Sequence, residues 1–153
     1  MNNEYKIISL KENPNLIDEA CKFFSNAWQI PYDAYYESME EMKTSSLGYP
    51  FWLVVTFKDE IVGGLGVIKN DFHSRIDLFP NICAVFVKEN HRRKGLCPLL
   101  LKTMIEHLHK HKIDKVYLVT NHTSLYEKYG FVYYCETMCE DGPSRVYLHE
   151  YEK

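Results

Sequence analysis

The sequence of 153 residues has no long apolar run and no excess of positive charge. No segment reaches the run of about 18 apolar residues that a membrane-spanning helix needs, and residues 1–11 are too polar for a signal peptide. Lys and Arg number 18 against 21 Asp and Glu, so the net charge is -3. This balance argues against nucleic acid or an anionic membrane as a partner. We therefore expect a cytoplasmic protein.

Signals for disulfides and for metal sites are also lacking. The cysteine count is odd and the spacing is irregular, which predicts reduced thiols rather than a disulfide framework. The cysteines are Cys21, Cys83, Cys97, Cys135 and Cys139. His107 and His111 share a helix face, but Leu108 stands where a zinc-binding His-Glu-x-x-His motif has its glutamate. We expect no metal, and we interpret His107, His109 and His111 as solvated residues at a helix end.

The order of predicted elements indicates one domain over residues 1–153, without repeats or linkers. Apolar spacing predicts strands at 5–10, 51–57, 61–68, 81–87, 116–119, 131–134 and 145–149. It predicts helices at about 13–27, 33–43, 96–112 and 124–129. The strand-helix-strand unit from Asn81 to Val119 implies a parallel pair with a right-handed crossover. Hairpins on both sides make the sheet mixed, so the expected fold class is α/β with a mixed central sheet.

Two local features of the strands point to close contacts or ligands. Gly63, Gly64 and Gly66 fall in one predicted strand, which indicates a bulge or a close approach by another backbone or a ligand. The apolar run 81–87 is then followed by a basic loop, Arg92-Arg93-Lys94, and by Gly95 at the start of a long helix.

This helix start is a candidate phosphate site. The first N–H groups of a helix have no partner inside it and carry the positive end of the helix dipole, so they bind anions. Gly95 leaves the backbone open to close approach, and Pro98 is tolerated because N–H groups of the first turn are unsatisfied anyway. The segment lacks both the Walker pattern and the Gly-x-Gly-x-x-Gly fingerprint. A solvated basic loop with a turn glycine remains the alternative.

A second motif gives this site a family resemblance. Arg92-x-x-Gly95-x-Cys97 is followed, after the next strand, by Tyr126-x-x-x-Gly130-Phe131. In this order the two motifs resemble the GNAT superfamily of N-acetyltransferases, and the segment 71–87 is similar to a group of uncharacterised bacterial members. Cys97 departs from the usual Gly or Ala, and Asn121 lies closer to Tyr126 than the usual cofactor-contacting Asn.

The resemblance implies a three-layer fold whose two parallel strands splay apart, with acetyl-CoA as cosubstrate. The amides of residues 93–97 would hold the pyrophosphate, and the backbone of residues 85–87 would pair with the pantetheine arm. Tyr126 would act as general acid at the sulfur. The implied cofactor-binding residues are Val85, Phe86, Val87, Arg92, Arg93, Lys94, Gly95, Leu96, Cys97, Pro98 and Asn121.

The acceptor would be an amine of a small molecule or a peptide, and it must lose a proton before it attacks. Candidate bases are Asp71, His73, Asp77 and Glu37, of which we choose His73 and Asp77, although for any single one of the four a solvated loop residue is the favoured interpretation. Trp28, Tyr32 and Tyr35 would line the acceptor site, unless they are plain core residues.

Other readings stay open at this stage. A covalent route through Cys83 or Cys97 would need an exposed thiol with a base partner. A regulatory module that binds acetyl-CoA without turnover would keep the helix start and dispense with Tyr126. A longer acyl-CoA is a further possibility, and the protein is expected to be a monomer or a homodimer.

Overall fold

The computed structural model describes residues 4–152 as a seven-stranded mixed sheet covered by helices on both faces. The strands are β1 Tyr5–Ser9, β2 Phe51–Phe57, β3 Glu60–Ile68, β4 Asn81–Val87, β5 Lys115–Thr120, β6 Val132–Cys139 and β7 Gly142–Glu150, in the sheet order β1-β2-β3-β4-β5-β7-β6. The helices are α1 Ile17–Trp28, α2 Tyr32–Thr44 and α3 Leu96–Lys110, with 3-10 turns at Pro14–Leu16, Glu89–His91 and Tyr126–Tyr129. The expected fold class is confirmed, while the expectation of one domain also covers residues 1–3 and 153, which lie outside the described residues.

Neighbouring residues of β2 show how the three layers are built. Successive side chains of a strand point to opposite faces of the sheet. Trp52 packs against Phe24 of α1 and Tyr35 of α2, with ring centroids 5.1 and 5.6 Å away. Phe51, one residue earlier, stacks on His107 of α3 at 3.5 Å. Helices α1 and α2 therefore cover one face of the sheet and α3 covers the other.

The glycines of β3 make room for aromatic side chains. A Cβ atom on Gly66 would lie 2.5 Å from the Trp52 ring, and one on Gly64 would lie 2.7 Å from Phe24. The β3–β4 register also shifts between Gly64 and Gly66. The structure thus contains the predicted bulge and a close approach, and the approaching groups include the rings of Trp52 on β2 and Phe24 on α1.

The predicted solvation of the three histidines is wrong for His107. Its ring stacks on Phe51, its Nε2–H donates to the Gly48 carbonyl at 2.9 Å, and burial lowers its pKa. His109 is half-buried and stacks on Tyr151 at 3.7 Å, whereas His111 is exposed. A polar residue near a helix end is solvated only if nothing packs beside it. Here Phe51 of β2 packs on His107, and Tyr151, which follows β7, packs on His109.

The last hairpin differs most from the sequence prediction. Strands β6 and β7 span 8 and 9 residues, so both are longer than the predicted 131–134 and 145–149. Their additional residues include the polar or exposed Glu136, Met138 and Ser144, which carry no apolar alternation. Backbone pairing continues to the tight turn, where Cys139 lies opposite Gly142.

Candidate active site

The parallel strands β4 and β5 diverge soon after they meet. They pair only at Asn81–Tyr117 and Ile82–Leu118. Beyond that point β4 stays paired with β3 up to Val87, and β5 stays paired with β7 up to Thr120. The two strands thus open a cleft, along which Ala84, Val85 and Phe86 are half-buried. The splayed pair that the sequence resemblance implied is present.

A β-bulge marks the inner end of this cleft. Gly64 and Gly66 of β3 pair with Phe86 and Cys83 of β4. One residue, Leu65, lies between the two glycines, whereas two residues, Ala84 and Val85, lie between their partners on β4. Where two residues of one strand lie opposite a single residue of its partner, the strand bends and some backbone groups turn out of the hydrogen-bond ladder. Ala84 has a φ of 55°, which is uncommon for a residue other than glycine and often found at functional sites.

The start of α3 lies beyond the outer end of the cleft and is uncapped. Gly95 is the N-cap residue with a φ of 77°, and no side chain caps the helix. Within residues 4–152, the N–H groups of 93–97 donate to no carbonyl or side chain outside regular structure. A Cβ atom on Gly95 would meet nothing within 4 Å, so the space beside Gly95 is open. The Leu96 side chain is core, which leaves only its amide for a ligand.

The basic side chains around this helix start have two different roles. Arg92 donates from Nε to the Val87 carbonyl at 2.8 Å, and its guanidinium lies 5.6 Å from the Phe86 ring, so it ties the loop to β4. Arg93 and Lys94 are exposed and form no ion pair with any carboxylate of the described chain. Their positive charge therefore adds to that of the helix dipole. We call the amides of residues 93–97 with Arg93 and Lys94 the cradle.

Two other predicted cofactor residues lie at the edges of this region. Asn121 is exposed in the bend that follows β5. Pro98 is half-buried and lines a cavity of about 570 Å³, which Lys102 and Tyr129 also line. This places the Pro98 side chain beside the first turn of α3 rather than in front of its amides.

Tyr126 begins the 3-10 turn after β5, and its ring lies in the core next to Phe131 at 6.0 Å. Burial raises its pKa, and the nearby Cys97 thiol adds to this effect. The hydroxyl forms no hydrogen bond within residues 4–152, yet it is not one of the fully enclosed polar atoms of the described chain. It is a neutral phenol that keeps its proton at physiological pH and is free to donate.

A cavity of about 590 Å³ opens on the α1–α2 side of the bulge. Among its lining residues are Trp28, Tyr35, Glu37, Glu41, Tyr49, Trp52, Asp71, Cys83 and Ala84. Trp28 and Tyr35 lie where the sequence predicted them. Tyr32 does not line this cavity, because it faces outward and donates to Asp18 at 2.7 Å. A cavity of this size is typical of small-molecule sites.

Asp71 brings a carboxylate into this cavity beside the bulge. Burial raises the pKa of Asp71 to about 6. A carboxyl group with this pKa is ionised at pH 7 and accepts a proton more readily than an ordinary aspartate. Asp71 was one of four candidates on sequence, and the structure distinguishes it by its burial and its place on the cavity wall.

The two bases chosen on sequence, His73 and Asp77, do not line this cavity. His73 is buried, with Nε2 2.7 Å from Oδ1 of Asn81 and Nδ1 accepting the Arg75 N–H at 3.2 Å. Both ring nitrogens are thus engaged in fastening the loop. Asp77 is exposed and accepts two hydrogen bonds from Arg75, at 2.9 and 2.8 Å, which lower its pKa. These contacts disfavour both residues as a base, and composition alone could not show it.

The thiols near the cleft are poor nucleophiles. Burial raises the pKa of Cys97 to about 11 and holds that of Cys83 well above its ordinary value. The reactive form of cysteine is the thiolate, which these environments suppress at neutral pH. The geometry thus disfavours the acetyl-cysteine route.

The family model of the acetyltransferase (GNAT) family matches residues 13–131. The chain therefore belongs to the GNAT acetyltransferase family. None of the curated proteins compared with it matches its sequence.

Within residues 4–152, none of the helices has the length and apolar character needed to cross a membrane. The same residues hold no group of three or more His, Cys, Asp or Glu placed to bind a metal ion.

Solved structures share this fold at low sequence identity. A GNAT acetyltransferase from Streptococcus pneumoniae has a TM-score of 0.73 and 16% identity over 97% of this chain and 100% of its own. The YncA protein of Salmonella typhimurium, solved with its cofactor acetyl-CoA, has a TM-score of 0.71 and 16% identity over 99% of this chain and 96% of its own. An aminoglycoside 6'-N-acetyltransferase complexed with coenzyme A has a TM-score of 0.70 and 18% identity, covering 95% and 96% of the two chains.

Proposed function

We propose that the protein is an N-acetyltransferase that moves the acetyl group of acetyl-CoA directly onto an amine of a small molecule. One observation carries the proposal. The cleft between β4 and β5 has an uncapped helix start beyond its outer end and a carboxylate-bearing cavity beside the bulge at its inner end. An anionic donor and an amine acceptor thereby reach the same short stretch of β4 from opposite sides.

The donor site uses mostly backbone. The amides of the cradle bind the diphosphate, and Arg93 and Lys94 add positive charge. The unpaired edge of β4 at residues 85–87 accepts the pantetheine arm as an additional strand, which leads the thioester to Ala84. Asn121 contacts the cofactor from the β5 side. The open space at Gly95 fits a phosphate, and two structural neighbours were solved with acetyl-CoA or coenzyme A.

The acceptor amine must first lose a proton. An amine with a pKa near 10.4 is almost fully protonated at pH 7, and reaching the neutral form costs roughly 5 kcal/mol. Asp71 serves as the base, because it lines the cavity and its raised pKa lets it take up a proton without being protonated at rest. His73 has a positioning role, since its bonds to Asn81 and Arg75 hold the loop that carries Asp71.

The neutral amine then attacks the thioester carbonyl, whose oxygen becomes anionic. A backbone N–H at the Ala84 bulge donates to this oxygen, and such a preorganised donor contributes about 3 kcal/mol. As the C–S bond breaks, Tyr126 gives its proton to the departing sulfur, and the second proton that the nitrogen must lose to become an amide restores the phenol. From ordinary pKa values near 10 and 8.5 the transfer to sulfur is uphill by only about 2 kcal/mol. Burial raises the pKa of the phenol. The thiol of the departing coenzyme A forms in the same surroundings, which raise its pKa as well, so the difference between the two pKa values stays small.

The test is an assay of free thiol released from acetyl-CoA in the presence of a panel of amines. We expect release that depends on the amine and matches the amount of N-acetyl product found by mass spectrometry. Tight binding of acetyl-CoA without release under any amine would instead favour a regulatory module. A cytoplasmic location and a monomeric or homodimeric state belong to the same proposal, with five free cysteines in support of a reducing compartment.

A further inference from the structure

One face of α2 forms a wall of the acceptor cavity. The residues that it contributes are Ala34, Tyr35, Glu37, Ser38 and Glu41; four of them, Ala34, Glu37, Ser38 and Glu41, are spaced three, one and three apart along one face of the helix. The core-facing side of α2 carries the buried Tyr35, Met39 and Met42. Glu37 and Glu41 are exposed residues that also line the cavity, and Ser38 is already engaged as the acceptor of the Trp52 indole N–H at 2.9 Å.

Neither carboxylate has a basic partner in the described part of the chain. Lys43, the basic residue in the last turn of α2, pairs with Glu40 and leaves Glu37 and Glu41 unmatched. Like charges four residues apart on a helix repel each other. Lys69, a cation on the cavity wall, has its ammonium 5.4 Å from the Phe79 ring, which does not line the cavity. With Asp71 ionised, the cavity therefore has an excess of negative charge.

Aromatic rings supply a second, independent indication of the ligand's charge. Trp28, Tyr49 and Trp52 line the same cavity as the two glutamates. The faces of Trp and Tyr rings attract ammonium groups, and protein sites for alkylammonium ligands commonly combine aromatic rings with carboxylates. These carboxylates repel an anionic molecule and attract an ammonium group more strongly than a neutral hydrogen-bond donor.

We propose that the acceptor is a small diamine. One amino group lies at Asp71 beside the bulge and receives the acetyl group, while the second, protonated amino group is bound by Glu37 and Glu41 of α2. The carbon chain between the two groups lies against the aromatic wall. This inference rests on the proposed function, because it assigns the cavity to the acceptor of acetyl transfer.

The experiment compares putrescine with n-butylamine and 4-aminobutanol, which have the same carbon chain but only one amino group. We expect kcat/KM for putrescine to exceed that for butylamine by about tenfold, the effect of one charge-assisted contact. Glu37→Gln and Glu41→Gln should each shrink this ratio, because kcat/KM for putrescine falls by more than kcat/KM for butylamine. Asp33→Asn is the matched control, since it removes a carboxylate from the same helix but off the cavity wall.

Calorimetric binding of the same three compounds separates failure of this inference from failure of the proposed function. Preferential binding of putrescine that is lost in the Glu37→Gln, Glu41→Gln double variant would support the diamine site even if no thiol is released. Equal binding and equal kcat/KM of putrescine and butylamine would overturn it, as would a preference that survives in the double variant. Thermal melts of each variant confirm that exposed carboxamides leave the fold intact.

Discussion

The two proposed halves of the active site are built from different parts of the polypeptide. The proposed donor side consists of backbone groups, namely the uncapped amides at the start of α3 and the unpaired edge of β4, with two exposed cations beside them. The proposed acceptor side consists of side chains: carboxylates from α2 and from the loop before β4, together with aromatic rings from α1 and β2. A backbone site tolerates most substitutions that keep the chain path, whereas a side-chain site changes with every residue. We therefore expect substitutions to alter acceptor binding more readily than donor binding.

The largest effect is expected on the donor side, from Gly95→Glu. The new carboxylate would stand in front of amides that bind a diphosphate, and like charges placed together cost several kcal/mol. We expect coenzyme A affinity measured by calorimetry to fall by about 10³-fold. Gly95→Ala is the control, because its Cβ enters open space and only the φ of 77° strains it, a modest cost of roughly 1 kcal/mol. Equal affinities of the two variants would place the cradle elsewhere.

Tyr126→Phe should affect chemistry and spare donor binding. Removing the phenol deletes the proton donor to the leaving sulfur, and such a group typically contributes 10²- to 10⁴-fold, so we expect kcat to fall by about 10³-fold. The Kd for coenzyme A should stay within about twofold of that of the unchanged protein. Tyr129→Phe, in the same 3-10 turn, provides the comparison. A Tyr126→Phe variant with full turnover would remove the proposed acid.

Asp71→Asn tests the acceptor side and its pH dependence. The folded-state pKa of Asp71 is raised to about 6, so the active carboxylate form appears as pH rises through 6. We expect kcat/KM to rise through that pH in the unchanged protein, and the variant to lose this inflection with about 10²-fold of activity at pH 7. Because ionisation of a buried carboxyl opposes folding, the variant should unfold at no lower a temperature at pH 7.

The matched variant for this profile is Asp77→Asn, whose carboxylate is exposed and paired with Arg75. It should keep the inflection near pH 6 and nearly all activity. If the inflection vanished in Asp77→Asn and persisted in Asp71→Asn, the roles assigned to the two loop carboxylates would have to be exchanged.

Cys97→Ala should have the smallest effect. With a pKa of about 11, the thiol is neutral at pH 7, so its loss removes no nucleophile. We expect kcat within about twofold of the unchanged value, since Ala is also a usual residue of this motif. A loss of several orders of magnitude, together with a covalent acetyl adduct seen by mass spectrometry, would restore the acetyl-cysteine route.

The same contrast explains how far the sequence predicted the structure. The cradle follows from contiguous residues, since a strand, a basic loop and Gly95 at a helix start are local signals. The β4–β5 unit and its crossover likewise follow from apolar spacing. The acceptor cavity joins α1, α2, β2, β4 and a loop, so no local pattern could show which carboxylate of the loop faces it. The sequence prediction prefers His73 and Asp77 to Asp71. The hydrogen bonds that engage these two residues, with Asn81 and Arg75, depend on the path of the loop and are therefore visible only in the structure.

In the proposed reaction an anionic acetyl donor and an amine meet at the bulge of β4. The most direct test is the initial rate of thiol release from acetyl-CoA with and without putrescine, together with mass spectrometry of the product. We expect release that depends on the amine, one N-acetyl product per thiol, and its loss in both Gly95→Glu and Tyr126→Phe. Release that is independent of any amine, or acetyl-CoA that binds and is never consumed, would contradict the proposed reaction.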